Sequence, residues 1–286
     1  MRKPKYYIAS FSGGKDSTAM VLRLIELGYP LDEVICCDTT MEFPAMYRHI
    51  EKVRAVVEAA GIKFTMLKAE HDFVWWLSEF RPTKKSAIAK RRKLGRPAKG
   101  MGWPTAKVRW CTKELKKKII DQYLRKFRGQ YNLIQYIGIA ADEDYRLERK
   151  NNQDKTHMHP LIEWGWTEDD AMVYCRSKGY DWEGLYDLFK RVSCWCCPLQ
   201  PLDELRTLRR HFPELWQVLK QIDAHSWIQF KEKASVMDLE KRFDLEEALE
   251  AAGESIKNRA FFKDLKRLLA DEVTVDKIVE ERKKAA

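Results

Sequence analysis

Residues 6–17, YYIASFSGGKDS, limit what this chain can fold into more than any other stretch. Apolar side chains at Tyr6, Ile8, Ala9 and Phe11 predict a short strand. Ser12, Gly13 and Gly14 then make a turn, and Lys15, Asp16 and Ser17 open a helix whose apolar positions run through residues 18–27. Two adjacent glycines let a backbone come close to an anion and turn its N–H groups toward it. The helix end behind them adds its partial positive charge, so the layout suits a bound phosphate. It lacks the four-residue spacer of a Walker loop and the G-x-G-x-x-G of dinucleotide-binding folds. An ordinary glycine turn is the plainer alternative. All six residues from Ser12 to Ser17 fit a phosphate loop, however, and strand, turn and helix are the context such a motif requires.

The pattern then repeats. Residues 33–37 and 63–67 read as second and third strands, with a helical period over residues 43–60 between them that stops at Gly61. Residues 71–80 predict a short helix, 112–127 a longer one, and 133–139 a fourth strand. Strand and helix in alternation predict an α/β domain with a parallel sheet and right-handed crossovers, whose ligands gather at the carboxyl ends of the strands. Residues 12–17 and 38–42 both fall there. This domain is expected to span residues 1–165, with a basic insertion at 81–110 that reads as loop around one helical stretch near 87–93. Residues 166–286 read as mostly helical, with Thr167 as a cap, helical runs at 203–220 and 239–269, and a charged, frayed tail at 280–286.

Charge is concentrated in one place. Between Arg81 and Lys118 stand fifteen Lys and Arg against the single acid Glu114, a local +14 that leaves the rest of this +10 chain at −4. Such a block is the usual footprint of a polyanion, and it exceeds what one triphosphate needs, so nucleic acid is the expected partner. A mobile lid or a solvated charged face is the plainer alternative. No segment approaches membrane-spanning length and the basic N-terminus leads into the glycine loop, so the chain is expected to be soluble and cytoplasmic, with no membrane partner and with self-association left open. Among seven cysteines, Cys194, Cys196 and Cys197 cluster, which in a reducing compartment points to metal or redox chemistry. Joined by Cys111 they reach four thiolates, a count that suits an iron–sulfur cluster or zinc, while C-x-x-C also serves dithiol chemistry. Cys36, Cys37 and Cys175 read as buried core thiols. His157 and His159 read as a structural or substrate-side pair, and Trp103 and Trp110, flanking the basic loop, as candidate stacking surfaces.

Several motifs resemble one superfamily. The Ser12-to-Ser17 run resembles the pyrophosphate loop of PP-loop ATP pyrophosphatases. The seven residues from Asp38 to Pro44, DTTMEFP, resemble the D-T-G-x-E-F-P stretch of the phosphoadenosine phosphosulfate (PAPS) reductase family, and Arg109-Trp110-Cys111-Thr112 resembles the R-W-C-T of its sulfur-transfer branch. Gly138-Ile139 with Asp142, Glu143 and Arg146 is similar to G-I-R-x-D-E-S-x-x-R, and His159-Pro160-Leu161 with Trp164 to Y-P-L-x-x-W. These stand in the family's order from Tyr6 to Pro198. The resemblance implies a Rossmann-like, adenine nucleotide alpha hydrolase-like sheet with a helical C-terminal region. It further implies ATP, or another adenylyl nucleotide, with Mg²⁺, held by Ser10, Ser12, Gly13, Gly14, Lys15, Asp16, Ser17, Asp38, Thr39 and Gly138. Lys15, Asp16, Arg109 and Arg146 would be catalytic, with Arg149 as a further grip on substrate, and Cys111, Cys194, Cys196 and Cys197 would carry a 4Fe–4S cluster, zinc being the alternative.

Departures refine that expectation. The family's reductases resemble one another in attacking the sulfonate with a cysteine near the C-terminus, and no cysteine follows Cys197 here, while the glycine-rich loop that reductases commonly degrade is intact. Thr40 and Ala140 replace a usual Gly and Arg. The expected activity is therefore adenylation of a substrate, nucleic acid above all, for sulfur transfer with the iron–sulfur cluster, the sulfur delivered as persulfide, with a donor protein as partner, or as cluster-bound sulfide. The alternatives are a PAPS or adenylylsulfate reductase using an external thiol, and a nucleic-acid-binding accessory without turnover.

Overall fold

The computed structural model describes residues 3–148, 154 and 156–285. Its centre is a five-stranded, wholly parallel sheet in the order β3-β2-β1-β4-β5. The strands are β1 Lys5–Phe11, β2 Glu33–Asp38, β3 Lys63–Lys68, β4 Asn132–Ile137 and β5 His157–Met158, with helices α1 Lys15–Glu26 and α2 Pro44–Ala59 as the first two crossovers. This is the Rossmann-like α/β class read from the alternation. The chain steps outward from β1 to β3, then returns to the other side of β1 for β4. The order therefore reverses between β1 and β4, where Ser10 pairs with Ile137, and a doubly wound sheet binds ligands at that crevice.

Local chemistry sets the ends of these elements. The strand expected through residue 139 stops at Ile137, because a Cβ on Gly138 would lie 3.1 Å from Ser17 Cα and N. Glycine lets β4 end close against the start of α1 without crowding it. The helix expected at 112–127 opens as Trp110–Thr112, passes through a π-helical turn at Lys113–Lys117 and continues as Lys118–Arg125. Leu124 on that last segment joins Ile8, Ile35, Leu67 and Leu133 in the core below the sheet. The two-residue β5 carries no strand signal of its own.

The described residues form two compact units, one from Met1–Phe73 with Ala106–Cys197, the other from Val74–Thr105 with Pro198–Ala286. The expected boundary after residue 165 does not coincide with this division. The helix Glu168–Ser177, capped by a reciprocal Thr167–Asp170 box, packs on α1 in the sheet unit, where the Cys175 thiol reaches the Lys15 carbonyl at 3.5 Å. Cys194, Cys196 and Cys197 belong to that unit too.

The second unit is helical. The run expected at 203–220 is two helices, Leu202–His211 and Pro213–Asp223, since Pro213 lacks an N–H and starts a helix more readily than it continues one. The run at 239–269 divides into Val236–Ala251, capped by Ser235, and Arg259–Leu269, capped by Asn258. The tail is no frayed end: Val275–Ala285 is a helix whose Ile278 is buried with Leu245, Leu249 and Phe261. The basic stretch folds here as the helix Lys85–Lys93 and a loop. Arg91 is consumed in that fold, donating to the carbonyls of Pro97, Lys99 and Gly100. Among the described residues no helix is long and apolar enough to cross a membrane.

Candidate functional site

The glycine turn sits where β1 feeds α1. Gly13 has φ +80°, and a Cβ there would press on Met46 Sδ at 2.6 Å and Ile50 at 3.0 Å, so a side chain would be strained and would need its neighbours to shift. Gly14 forms the N-cap of α1. The Ser17 hydroxyl takes the Ser12 N–H at 3.1 Å, meets the Ser12 hydroxyl at 3.0 Å and donates to the Gly14 carbonyl at 3.0 Å, so the two serines clamp the turn. Lys15, 9% exposed, donates to Asp16 at 3.0 Å and to Glu168. Burial works to lower the Lys15 pKa, but the Glu168 and Asp16 carboxylates outweigh it and raise it. The Asp16 pKa is raised by burial against the pull of Lys15. Lys15 is thus a fixed cation at a helix N-terminus.

Beside this turn a cavity of about 210 Å³ opens between β1, β2 and β4, lined by Ser10, Ser12, Ser17, Cys37, Lys116 and Gly138 among others. Four of the residues expected to bind nucleotide, Ser10, Ser12, Ser17 and Gly138, therefore line one space. Two of the lining residues that carry functional groups, Cys37 and Lys116, were not expected there. Cys37 read as core, yet it faces the cavity, its thiol pushed up to about 11 by burial with Lys116 pulling the other way. Lys116 was lost among fifteen basic residues, but the π-helical turn aims it inward. Burial opposes its charge, and the Glu42 carboxylate with the thiols of Cys194, Cys37 and Cys36 raises its pKa. Sequence held no signal for it, since a five-residue step from Cys111 points away in a regular helix.

At the end of β2, Asp38 Oδ1 accepts from Thr40 N at 2.7 Å and from the Tyr47 hydroxyl at 2.8 Å. Thr39, buried, donates to Glu42 at 2.8 Å, and the same Glu42 oxygen takes the Cys194 thiol at 3.4 Å. Thr40 has φ +65°, a left-handed conformation that glycine holds without cost, which explains the Gly common at this motif position. The Thr40 hydroxyl offsets part of that strain by taking the Phe73 N–H at 3.3 Å.

The four expected ligand cysteines all lie in the sheet unit. Cys197 N–H donates to the Cys194 carbonyl at 3.1 Å, closing a turn, while Cys196 is influenced by the charges of Cys194, Cys197 and Cys111. Burial raises the pKa of Cys111, Cys194 and Cys196, so a cation taking them would displace protons. The four thiols fit a thiophilic group in donor type, but among the described residues no three His, Cys, Asp or Glu side chains stand in a metal-binding arrangement.

Other expected residues fall differently. Arg109 is exposed, and Arg146 is paired with Glu143 on the segment after β4. Arg149 lies outside the described residues. Trp103 and Trp110 are not stacking surfaces. Trp103 is 1% exposed, donating to Asp223 at 2.7 Å in the helical unit, and Trp110 is 4% exposed against Phe73 in the sheet unit, because each indole is worth more buried than open to solvent. Cys36 and Cys175 are buried as expected, and His157 lies on β5 beside Gln135.

The family model of the phosphoadenosine phosphosulfate reductase domain matches residues 6–200, the sheet, the glycine turn and the cysteine segment together. The chain belongs to the PAPS reductase family. Two uncharacterized proteins of Methanocaldococcus jannaschii, MJ0066 and MJ0973, are similar to this family member at 25% and 26% identity over 224 residues. Each match takes in 76% of this chain but only 41% and 47% of the relatives, so the chain spans less than half their length. Among solved structures, the U34-tRNA thiolase NcsA from Methanococcus maripaludis with its 4Fe–4S cluster is similar at 14% identity and a TM-score of 0.40, covering 78% of this chain and 73% of that one.

Proposed function

We propose that this PAPS reductase family member is an ATP pyrophosphatase that adenylates an oxygen of nucleic acid, which sulfur then displaces. The observation that carries the reading is the intact Ser12-to-Ser17 turn beside the cavity, with Gly13 and Gly138 at points where a side chain would be crowded. The N–H groups of that turn other than those of Ser12 and Lys15, which two hydroxyls already take, would hold the β- and γ-phosphates with the Lys15 ammonium, and Asp16 with Asp38 would position Mg²⁺. The substrate oxygen attacks the α-phosphate, the bond to the bridging oxygen breaks, and pyrophosphate leaves with its charge held by Lys15 and the helix end. Arg109 and Arg146 grip the substrate, and Glu42 and Thr39 orient Cys194. The outer sulfur of a donor-protein persulfide then attacks, AMP leaves with the adenylated oxygen, and a second donor thiol cleaves the resulting substrate–donor disulfide, leaving sulfur on the substrate and a disulfide on the donor. A 4Fe–4S cluster on Cys111, Cys194, Cys196 and Cys197 would supply soft iron for binding sulfur, whereas zinc on the same thiolates would be a structural clip.

Nucleic acid as substrate is supported by cations that the fold leaves uncompensated. Among the described residues no carboxylate is in contact with Lys84, Lys85, Lys90, Arg92 or Lys93, whereas Lys99 pairs with Glu79 at 2.9 Å. The test is pyrophosphate release from ATP and Mg²⁺ by anaerobically purified protein, with iron, sulfide and zinc counted per chain. Lys15→Ala should abolish release and leave the iron and sulfide content unchanged; retained release would remove the loop from the mechanism. Sulfite from PAPS would identify a reductase instead, and nucleic-acid binding without pyrophosphate would identify the accessory.

A further inference from the structure

Behind the glycine turn runs a segment with no part in the reading so far. Trp182, Glu183 and Gly184 have φ of +51°, +54° and +80°, three consecutive left-handed residues of which only one is glycine. Such a run persists only where its surroundings fix it. Arg48 holds Glu183 through Nε at 2.7 Å and a second nitrogen at 2.5 Å, and Asp181 takes the Glu183 N–H at 3.0 Å. The turn drives Trp182 inward to 2% exposure, stacked on His49 at 4.5 Å. There its indole N–H donates to the Gly13 carbonyl at 2.7 Å, and the His49 ring nitrogen meets the Thr18 hydroxyl at 2.9 Å.

One helical turn on, Tyr186 packs edge-on against Trp182 at 4.8 Å, and its hydroxyl oxygen accepts the Lys15 N–H at 3.0 Å. The same oxygen lies 3.5 Å from where a Gly14 Cβ would stand, a point equally 3.5 Å from the Ser12 hydroxyl. It therefore overhangs the surface on which an anion would rest. A phenol has one hydrogen to give as well as lone pairs to accept with, and among the described residues no acceptor takes that hydrogen. Burial, helped by nearby Asp16 and Glu168, raises the Tyr186 pKa, so the hydroxyl keeps its hydrogen at any working pH.

We propose that Trp182 and Tyr186 complete the polyphosphate site: Trp182 holds the Gly13 peptide in its left-handed turn, and Tyr186, braced by the Lys15 amide, donates its hydroxyl hydrogen to a phosphate oxygen seated on Gly14. Trp182 is a positioning residue and Tyr186 a direct contact. The proposal rests on the pyrophosphate-loop reading above and adds to it a donor that the glycine-rich motif does not contain.

The experiment is calorimetric titration of the full chain with pyrophosphate, ATP and adenosine, each with Mg²⁺, for wild type, Tyr186→Phe and Trp182→Phe. Tyr186→Phe keeps the ring and removes only the hydroxyl. It should bind pyrophosphate and ATP roughly tenfold or more weakly, the usual effect of losing a hydrogen bond to a charged group, with adenosine affinity and thermal midpoint unchanged. Trp182→Phe should weaken pyrophosphate less and lower the midpoint. Equal or tighter pyrophosphate binding by Tyr186→Phe overturns the proposal, tighter binding marking the hydroxyl as a plug. A wild type that binds neither pyrophosphate nor ATP overturns the loop reading itself, a result that the variants cannot imitate.

Discussion

Replacing Gly13 by alanine tests how the phosphate turn is built, because the structure separates two costs. The first is conformational: at φ +80° an L side chain pays roughly 1–2 kcal/mol for the left-handed region. The second is steric, since the new methyl would stand 2.6 Å from Met46 Sδ and 3.0 Å from Ile50 Cγ1, both buried on α2. Overpacking of that kind costs about 1–3 kcal/mol, so Gly13→Ala should lose about 2–5 kcal/mol. Gly28 supplies the control. It has φ +64°, belongs to the same unit, and a Cβ there meets nothing within 4 Å, so Gly28→Ala should lose only the conformational part, about 1–2 kcal/mol. Urea unfolding of the two variants beside wild type, followed by tryptophan fluorescence, gives the difference directly. Pyrophosphate affinity should fall for Gly13→Ala alone. Losses within about 0.5 kcal/mol of each other would mean that Met46 moves aside freely and that the turn is not held against α2.

Three further outcomes follow from other contacts. Burial lowers the His49 pKa to about 4, so between pH 6.5 and 4 the unfolded chain takes up a proton that the folded chain refuses. Stability should therefore drop as pH falls, by about 2 kcal/mol from pH 7 to pH 5, and His49→Gln should flatten that part of the denaturation-versus-pH curve. Asp223 accepts from the Trp103 indole at 2.7 Å and the Val236 N–H at 2.6 Å, so Asp223→Ala leaves two buried donors unmet and should cost the helical unit about 2–5 kcal/mol in urea. For a single-stranded oligonucleotide, the five uncompensated cations of the basic arm set a slope of log affinity against log salt of about −3.5. Gln at Lys90, Arg92 and Lys93 should reduce its size by about 2, whereas Arg91→Gln, whose guanidinium is bound to carbonyls, should leave the slope and loosen the arm.

The parallel sheet and the glycine turn were legible because both are written in local patterns, apolar alternation in one case and a contiguous six-residue run in the other. The two-residue β5 was not, since its pairing with β4 depends on Gln135 and Tyr136 across the sheet rather than on any run of its own. Trp103 and Trp110 were misplaced because sequence shows which residues flank a charged loop but not which way an indole turns. Asp223, 120 positions away, decides that for Trp103. Tyr186 lies 171 residues beyond the Lys15 amide it meets, in a stretch with no motif, and nothing short of the fold brings the two together.

The π-helical turn at Lys113–Lys117 carries a consequence for how this segment can vary. In a regular helix two residues five apart point about 140° away from each other, but an i→i+5 ladder stacks them. Cys111 feels the charge of Cys197 and Lys116 that of Cys194, so both address the 194–197 segment, and they do so because one residue has been accommodated as a bulge. Deleting Lys113, the exposed residue between them, would restore a smooth helix and swing one of the two out of the site. At this place the count of residues, more than the identity of the exposed ones, is what the chemistry depends on.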